Sequence, residues 1–340
     1  MSIPRRDFLK RVSATSMAMG SLTVANLPTG VLAQGEQANL AKQDDHMLII
    51  DTHQHLRDLS RQTPPWLESA PEVLRRNYTS REYQAATEGL HVEAIYMEVD
   101  VAPADHMKEA QYVVSLCEDE TKATVAAVIG GRPSSERFTH YLDHFKDSKY
   151  VKGVRQVLHV PETKPGYCLR ESFVAGTRAL GERGLRLDLC MRPMELNDGA
   201  KLIDLCPDTN FIVDHCGNAD PKAFRKDANT TGQAWHDPDE WKRDMENLAN
   251  FPNVICKISG ILARAPKDWS VDDLAPIVNH CIDMFGEDRI VFGGDWPVCL
   301  LGASLLAWVS SLRQIVSTRS DQLQRKLWHE NAQRYYKLPV

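Results

Sequence analysis

The sequence predicts an α/β protein with one domain, a (β/α)₈ barrel of the TIM-barrel type, over residues 47–338. Eight short apolar runs rich in β-branched residues recur along this range. Nearly continuous apolar runs are typical of strands that are buried on both faces. Stretches with helical spacing and a polar face separate many of these runs, which is typical of parallel βαβ units. Eight units favour a closed barrel over an open sheet, and 340 residues are sufficient for one.

The predicted strands and helices alternate in a regular order. The strands are predicted at residues 47–51, 94–99, 124–129, 151–158, 185–190, 210–213, 254–258 and 289–292. The helices are predicted at residues 106–121, 173–182, 194–205, 238–248, 272–285 and 304–316. Two long loops interrupt the alternation, residues 56–77 after the first strand and residues 216–240 after the sixth. Because loops at the strand ends of a barrel carry most substrate contacts, we expect these two to set specificity.

The first 46 residues are predicted to lie outside the barrel. Arg5 and Arg6, followed by Asp7-Phe8-Leu9-Lys10 and a mildly apolar stretch, resemble a twin-arginine export signal at residues 1–33. Residues 34–46 are predicted to form a polar linker. We therefore expect the twin-arginine translocase as a partner during export, and a periplasmic or extracellular location for the mature protein.

Composition and charge exclude several classes of protein. The chain is 43% hydrophobic and 25% charged, which is typical of a soluble globular protein. Its net charge of -6, without a cluster of Lys and Arg, argues against a nucleic-acid partner. No internal apolar stretch reaches the ~20 residues of a membrane span, so no stable membrane anchor is expected. The eight cysteines include no C-x-x-C pair and are expected to be mostly reduced and buried. None of these features predicts the oligomeric state.

Two histidines end the first predicted strand, in the sequence Asp51-Thr52-His53-Gln54-His55. Side chains at positions i and i+2 of a strand point to the same face, so His53 and His55 are expected to converge inside the barrel mouth. Two imidazoles at this spacing suit a divalent metal, and they also suit a carbonyl oxygen held between two donors. The spacing leaves both interpretations open.

A third histidine and an aspartate follow later strands. His215 closes the sixth strand and precedes Cys216-Gly217, which predicts a sharp turn. Asp295 lies beyond the eighth strand, after two glycines that let the backbone bend. Barrel active sites lie at the carboxyl ends of the strands, so we predict His215 and Asp295 as catalytic residues. The predicted metal ligands are His53, His55, His215 and Asp295.

Six further residues are predicted to contact a substrate. They are Arg155, Arg192, Lys257, His236, Trp66 and Trp296. The two arginines follow the fourth and fifth strand runs and can offer planar donor forks to a carboxylate or to hydroxyls. Structural salt bridges are the competing interpretation for them and for the lysine. The aromatic residues are expected to form pocket walls.

Six motifs appear in a fixed order along the chain. They are Asp51–His55, Val151–Arg155, Asp214–Gly217, Cys256–Gly260, Gly294–Val298 and Asn331–Tyr336. In this order they resemble the amidohydrolase superfamily, and within it the amidohydrolase 2 branch of metal-dependent TIM-barrel hydrolases, which contains lactonases of sugar acids and dicarboxylates. The resemblance extends over residues 47–338.

The resemblance implies a hydrolase that opens a cyclic ester, with an anionic or polyhydroxylated lactone as its small-molecule substrate. Asp295 would act as general base, while the histidines bind one divalent metal, Zn²⁺ or Mn²⁺, or polarise the carbonyl without a metal. Two alternatives stay open. One is a decarboxylase of an unsaturated or aromatic acid from the same superfamily, and the other is a non-catalytic exported protein that binds a sugar acid.

The chain departs from the resembled branch at two places. A bridged two-metal site uses a carboxylated lysine on the fourth strand, where this chain has Gly153-Val154-Arg155, so a two-metal site is not expected. The branch often has Ser before the last-strand Asp and Lys after the His-x-Gly turn. This chain has Gly294 and Asn218 at those positions.

Overall fold

The computed structural model describes residues 47–225 and 233–338. Eight parallel strands follow one another in sheet order, each paired with the next. The predicted fold class is therefore confirmed. The predicted export signal at residues 1–33 and linker at residues 34–46 lie outside the described residues, and both stay predictions.

The strands close into a barrel because the last one lies beside the first. In chain order they are β1 Ile49–Gln54, β2 Val92–Met97, β3 Thr124–Gly130, β4 Val151–Val157, β5 Arg186–Cys190, β6 Asn210–Val213, β7 Val254–Ile258 and β8 Ile290–Phe292. The Thr52 hydroxyl donates to the Phe292 carbonyl at 2.6 Å, and Gln54 forms a parallel bridge with Trp296. These contacts join β1 to β8 and bring their carboxyl ends to the same rim.

Helices cover the outside of the barrel. They are α1 Ser80–Ala86, α2 His106–Cys117, α3 Phe138–Asp143, α4 Glu171–Glu182, α5 Leu196–Leu205, α6 Pro238–Ala249, α7 Val271–Phe285, α8 Leu305–Val316, α9 Asp321–Arg325 and α10 Asn331–Tyr336. All six predicted helices are present within a few residues of their predicted ends. The sequence pattern missed α1 and α3 because helices of seven and six residues are too short to establish a period. It also missed α9 and α10, which are joined by a π-helical turn at Lys326–Glu330. Among the described residues, no helix combines the length and apolarity needed to cross a membrane.

Alternate side chains of the strands form two apolar layers. Residues that pack against the helices belong to one large cluster, which includes Tyr96, Ile129 and Val213. A smaller inner cluster fills the lower barrel with residues such as Met97 and Ile212, joined by side chains of the C-terminal segment. All eight cysteines are buried and unpaired, as predicted. Above the inner cluster, the barrel interior becomes polar.

Candidate active site

The polar upper layer of the barrel brings together the residues that the sequence singled out. His53 lies within β1 and His55 directly follows it, while Asp295 stands on the loop after β8. The Asp295 carboxylate oxygen Oδ1 is 3.5 Å from Nε2 of His55 and 3.8 Å from Nε2 of His53. All three side chains are buried. The predicted convergence of the two histidines is confirmed.

His215 joins this group from the turn after β6. Its ring centroid is 4.4 Å from that of His53, and its Nδ1 is 2.9 Å from the Ser259 hydroxyl. The predicted sharp turn is present, with four successive residues from His215 to Asn218 at φ between 51° and 66°. Gly260, whose φ is +72°, lies against the imidazole, and a Cβ at this position would stand 2.3 Å from Nδ1. Gly260 therefore makes room for the His215 ring.

Burial keeps the three imidazoles neutral. It lowers the pKa of His55 to about 3, assisted by the positive charge of Arg155. It lowers the pKa of His215 to about 4 and that of His53 well below its usual value. Nδ1 of His55 is 3.0 Å from the Met97 carbonyl, which can only accept a hydrogen bond, so this nitrogen carries the ring proton. Nε2 of His55 therefore presents a lone pair to the site.

Burial has the opposite effect on the carboxyl group of Asp295. It raises the pKa of Asp295 above its usual value, while the neighbouring His215 and Arg155 partly oppose the shift. A carboxylate with a raised pKa is a stronger base than an exposed aspartate. Asp295 also has a positive φ of 52°, a conformation that non-glycine residues adopt rarely and mainly where the surrounding structure enforces it.

Asp51 fixes the loop that carries Asp295. Its Oδ1 accepts hydrogen bonds from the backbone N–H of His53 at 2.9 Å and of Gly294 at 2.6 Å. Its Oδ2 accepts one from the Tyr83 hydroxyl at 2.8 Å. A Cβ on Gly294 would lie 2.5 Å from Oδ2 of Asp51, which explains why this chain has glycine there. The glycine at position 294, where the resembled branch often has serine, therefore allows a hydrogen bond that links β1 to the loop after β8.

A buried lysine stands beneath the histidines. Lys257 Nζ is 2.8 Å from a carboxylate oxygen of Asp188 and 2.8 Å from one of Asp214, and it is fully buried. It also lies 3.2 Å from Nδ1 of His53. Burial opposes its charge, but the two carboxylates raise the pKa of Lys257 above its usual value. This lysine stays charged as part of a buried network, and it does not line the cavity described below.

Arg155 links the buried carboxylate of Glu98 to the site. Its Nε donates to Glu98 Oε1 at 2.7 Å, and its Nη2 donates to the Glu98 carbonyl at 2.8 Å. Nη1 lies 3.1 Å from Nε2 of His53 and 3.4 Å from Asp214. Arg155 is thus salt-bridged, as the competing interpretation held, and its side chain also borders the cavity. Both interpretations of this residue are compatible with the structure.

A cavity of about 360 Å³ opens above these groups. Its volume is within the range of small-molecule sites, roughly 300–1,000 Å³. Predicted site residues in its wall are His55, Arg155, His215, Asp295 and Trp66. The indole N–H of Trp66 donates to the Val99 carbonyl at 2.8 Å, which fixes this wall. The cavity therefore combines an apolar wall with the histidine and carboxylate group at its floor.

Three other predicted substrate contacts lie outside this cavity wall. Arg192 donates to backbone carbonyls of Val160 and Thr163 and pairs with Glu195. His236 accepts a hydrogen bond from the Asp220 backbone at 2.9 Å. Trp296 packs edge-on against Tyr78 and Tyr83. Their placement gives each a structural role, and their contact with substrate stays a prediction.

The cavity wall also contains polar residues that sequence reasoning missed. They are Arg57, Asp100, His159, Asn218 and Arg264. Arg57 stands two residues beyond His55, and His159 directly follows the predicted strand at residues 151–158. Position after a strand end was therefore the available signal for both. Arg264 lies six residues beyond β7, inside a turn that has no periodic pattern. Its placement could be found only from the folded chain.

The donor set of the site suits one divalent metal. Ligand atoms of His53, His215 and Asp295 lie within 4.8 Å of one another, and small side-chain movements would bring all three to the bond lengths of about 2.0–2.2 Å that one ion needs. The neutral imidazoles have the protonation state that a ligand needs. Nε2 of His53 now faces Arg155, so metal binding at this nitrogen would replace that hydrogen bond. With that exchange, the residues fit one ion.

Comparison with known proteins places this chain in one protein family. The family model described as "Amidohydrolase" matches residues 50–338. An L-fucono-1,5-lactonase of Burkholderia multivorans is 27% identical over 301 residues, which are 86% of this chain and 97% of that protein.

Solved structures with the same fold include enzymes of more than one kind. A zinc-bound amidohydrolase from Burkholderia multivorans is similar with a TM-score of 0.73 at 24% identity, covering 86% of this chain and 100% of that one. A manganese complex of 5-carboxyvanillate decarboxylase from Novosphingobium aromaticivorans is similar with a TM-score of 0.60 at 15% identity, covering 87% and 97%. At these identities the two structures support the fold alone.

Proposed function

The chain belongs to the amidohydrolase family, and from its site we propose that this hydrolase is a lactonase, which opens a cyclic ester with water. One observation carries the proposal. The buried Asp295 carboxylate lies 3.5 Å from His55 and 3.8 Å from His53 at the floor of a cavity large enough for one monocyclic lactone. The L-fucono-1,5-lactonase relative supports the same class of reaction.

Asp295 would act first as base and then as acid. Its carboxylate removes a proton from the attacking water as the new C–O bond forms at the lactone carbonyl. When the ring C–O bond breaks, Asp295 returns that proton to the leaving alkoxide. The products, in one open chain, are a hydroxyl group and a carboxylic acid, which ionises to a carboxylate and releases the second proton of the water. Because an ester has a better leaving group than an amide, one well-placed base and one electrophile are sufficient.

The histidines would hold a divalent metal rather than act as hydrogen-bond donors. His55 supports this choice, because its proton is on Nδ1 and its Nε2 can only accept. His53, His55, His215 and Asp295 would hold Zn²⁺ or Mn²⁺. When bound, such an ion supplies Lewis-acid polarisation of the substrate carbonyl and lowers the pKa of water. Arg155, at the same floor, would offer a hydrogen bond from its Nη1 to the developing oxyanion.

A lactone screen with two readouts tests the proposal. Purified protein is incubated with aldonolactones and with dicarboxylate lactones, each as chelated, Zn²⁺-loaded and Mn²⁺-loaded samples. A pH indicator detects the proton released on ring opening, and a CO₂ assay runs in parallel with aromatic acids. We expect proton release that depends on metal and is absent in Asp295→Asn. Release of CO₂ without lactone opening would identify a decarboxylase, and full activity in the metal-free sample would remove the metal from the mechanism.

A further inference from the structure

Two arginines border the cavity without a carboxylate partner among the described residues. The third cavity arginine, Arg155, has its charge matched by Glu98 and Asp214. Arg57 and Arg264 form no such ion pair with any residue in 47–225 or 233–338. Arg57 is buried and Arg264 is half-buried. Removing a guanidinium from water without a counter-ion is costly, so its retention next to a cavity indicates an anionic ligand.

Arg57 stands two residues beyond His55 and is only 1% exposed. Its Nη2 donates to the Leu74 carbonyl at 2.7 Å, while its Nε is buried with no hydrogen-bond partner. The guanidinium lies 5.1 Å from the Trp66 ring and 5.4 Å from the Tyr78 ring. Burial lowers the pKa of Arg57 from its usual value. The aromatic rings hold the guanidinium in place and leave its charge unneutralised.

Arg264 reaches the cavity from the turn after β7. Its guanidinium lies 4.1 Å from the Trp235 ring, and its Nη2 donates to the neutral Asn218 side chain at 3.3 Å. Burial lowers the pKa of Arg264, as it does for Arg57. The positive charge of Arg264 also helps to lower the pKa of His159, another cavity residue, to about 4. The carboxylates of Asp220 and Asp295 act on Arg264 electrostatically without forming an ion pair with it, so its charge is only partly balanced.

The two arginines flank the catalytic loop. β8, which leads to Asp295, lies between β7 and β1 in the barrel. Arg57 and Arg264 follow those two neighbouring strands, and both line the same cavity as Asp295. Much of the remaining wall is apolar, with side chains such as Val157 and Val298. In such surroundings a planar guanidinium binds a carboxylate through charge-assisted hydrogen bonds.

Building on the proposed lactonase activity, we infer that Arg57 and Arg264 form a carboxylate-binding subsite. The preferred substrate is then a lactone that carries a free carboxylate outside the ring, such as the monolactone of an aldaric acid. A neutral aldonolactone offers only hydroxyls to the two guanidinium groups and leaves their charges unmatched. Hydrolysis of the favoured substrate consumes one water and gives an open-chain dicarboxylate.

Matched pairs of lactones test this inference. D-glucaro-1,4-lactone and D-glucono-1,4-lactone differ only in having a carboxylate or a hydroxymethyl group at C6, and the galacto and manno pairs differ in the same way. We expect kcat/KM to be at least about tenfold higher for the carboxylate member of an accepted pair. The ratio of the two kcat/KM values should fall at least about tenfold in Arg264→Met and less in Arg264→Lys. Arg178→Met, on the exposed face of α4, is the matched control and should keep the ratio.

A binding measurement separates failure of this inference from failure of the proposed function. Calorimetric titration with tricarballylate, a tricarboxylate without a lactone ring, should show binding that Arg264→Met weakens about tenfold or more and Arg178→Met does not. If no lactone is opened but this binding pattern is present, the lactonase proposal fails and the subsite stands. If neutral lactones are opened as well as their carboxylate partners, or if Arg264→Met leaves both the ratio and tricarballylate binding unchanged, the subsite is refuted.

Discussion

Replacing Lys257 by Met should destabilise the fold before it affects any substrate contact. The ammonium group is fully buried and lies 2.8 Å from each of two carboxylates, those of Asp188 and Asp214. Methionine preserves most of the apolar chain and removes the charge, so two buried carboxylates lose their shared partner. Breaking a buried ion pair from one side costs roughly 3–5 kcal/mol. We therefore expect the free energy of unfolding to fall by about 3–5 kcal/mol in Lys257→Met.

The measurement is urea denaturation followed by far-UV circular dichroism at pH 7. Lys201→Met is the matched control, because Lys201 pairs with Asp198 on the surface at 2.9 Å and its loss should cost about 1 kcal/mol or less. Adding Asp188→Asn to Lys257→Met removes one unpaired carboxylate and should recover part of the loss. If Lys257→Met stays within about 1 kcal/mol of the wild type, the argument for a structural cation is refuted. An increase in KM without a change in stability would instead support the predicted substrate contact.

Three further predictions concern the site and the buried residues around it. Asp295→Asn should lower kcat at least about a hundredfold, the usual contribution of a general base, and spare ligand binding in calorimetry; wild-type turnover would refute its role. Glu109 on α2 is buried and accepts hydrogen bonds from the Tyr96 hydroxyl and the Val99 backbone N–H, both at 2.8 Å. Burial raises the pKa of Glu109 to about 8, so the proton held in the folded state is lost as pH rises towards 8. The stability of Glu109→Gln relative to wild type should therefore increase between about pH 4.5 and pH 8 in denaturant titrations, and a constant difference would contradict this. Gly294→Ala should cost about 1–3 kcal/mol in unfolding free energy, because the new Cβ meets Asp51; an unchanged melting temperature would show that the loop adapts.

The fold and the centre of the site were predictable because they depend on local patterns. Eight apolar runs gave the strands, and the i, i+2 spacing of His53 and His55 survives folding because a strand fixes side-chain direction. Asp295 was recognisable since it follows a strand and two glycines. The structure places each of these side chains at the end of the barrel where the sequence located them.

The remaining site depends on contacts between distant parts of the chain. Lys257 looked like a substrate contact, but it pairs in the interior with Asp188 on β5 and with Asp214, which directly follows β6. The placement of Trp296 against Tyr78 likewise depends on the long loop after β1. Arg264 stands in a short turn, where stacking on Trp235 and a hydrogen bond to Asn218 hold it at the cavity. The spacing of residues along a single sequence does not predict these long-range contacts.

The closure between Asp51 and Gly294 also constrains the order of events in folding. The hydrogen bond joins residues that are 243 positions apart, and the neighbouring bond from Thr52 to Phe292 spans 240. During synthesis β1 leaves the ribosome long before its partner strand exists, so its outer edge stays unpaired until the barrel is nearly complete. Asp295 therefore reaches His53 and His55 only when β8 completes the barrel. Shortened chains that end before β8 should therefore have no catalytic activity and should expose an open sheet edge, which favours aggregation.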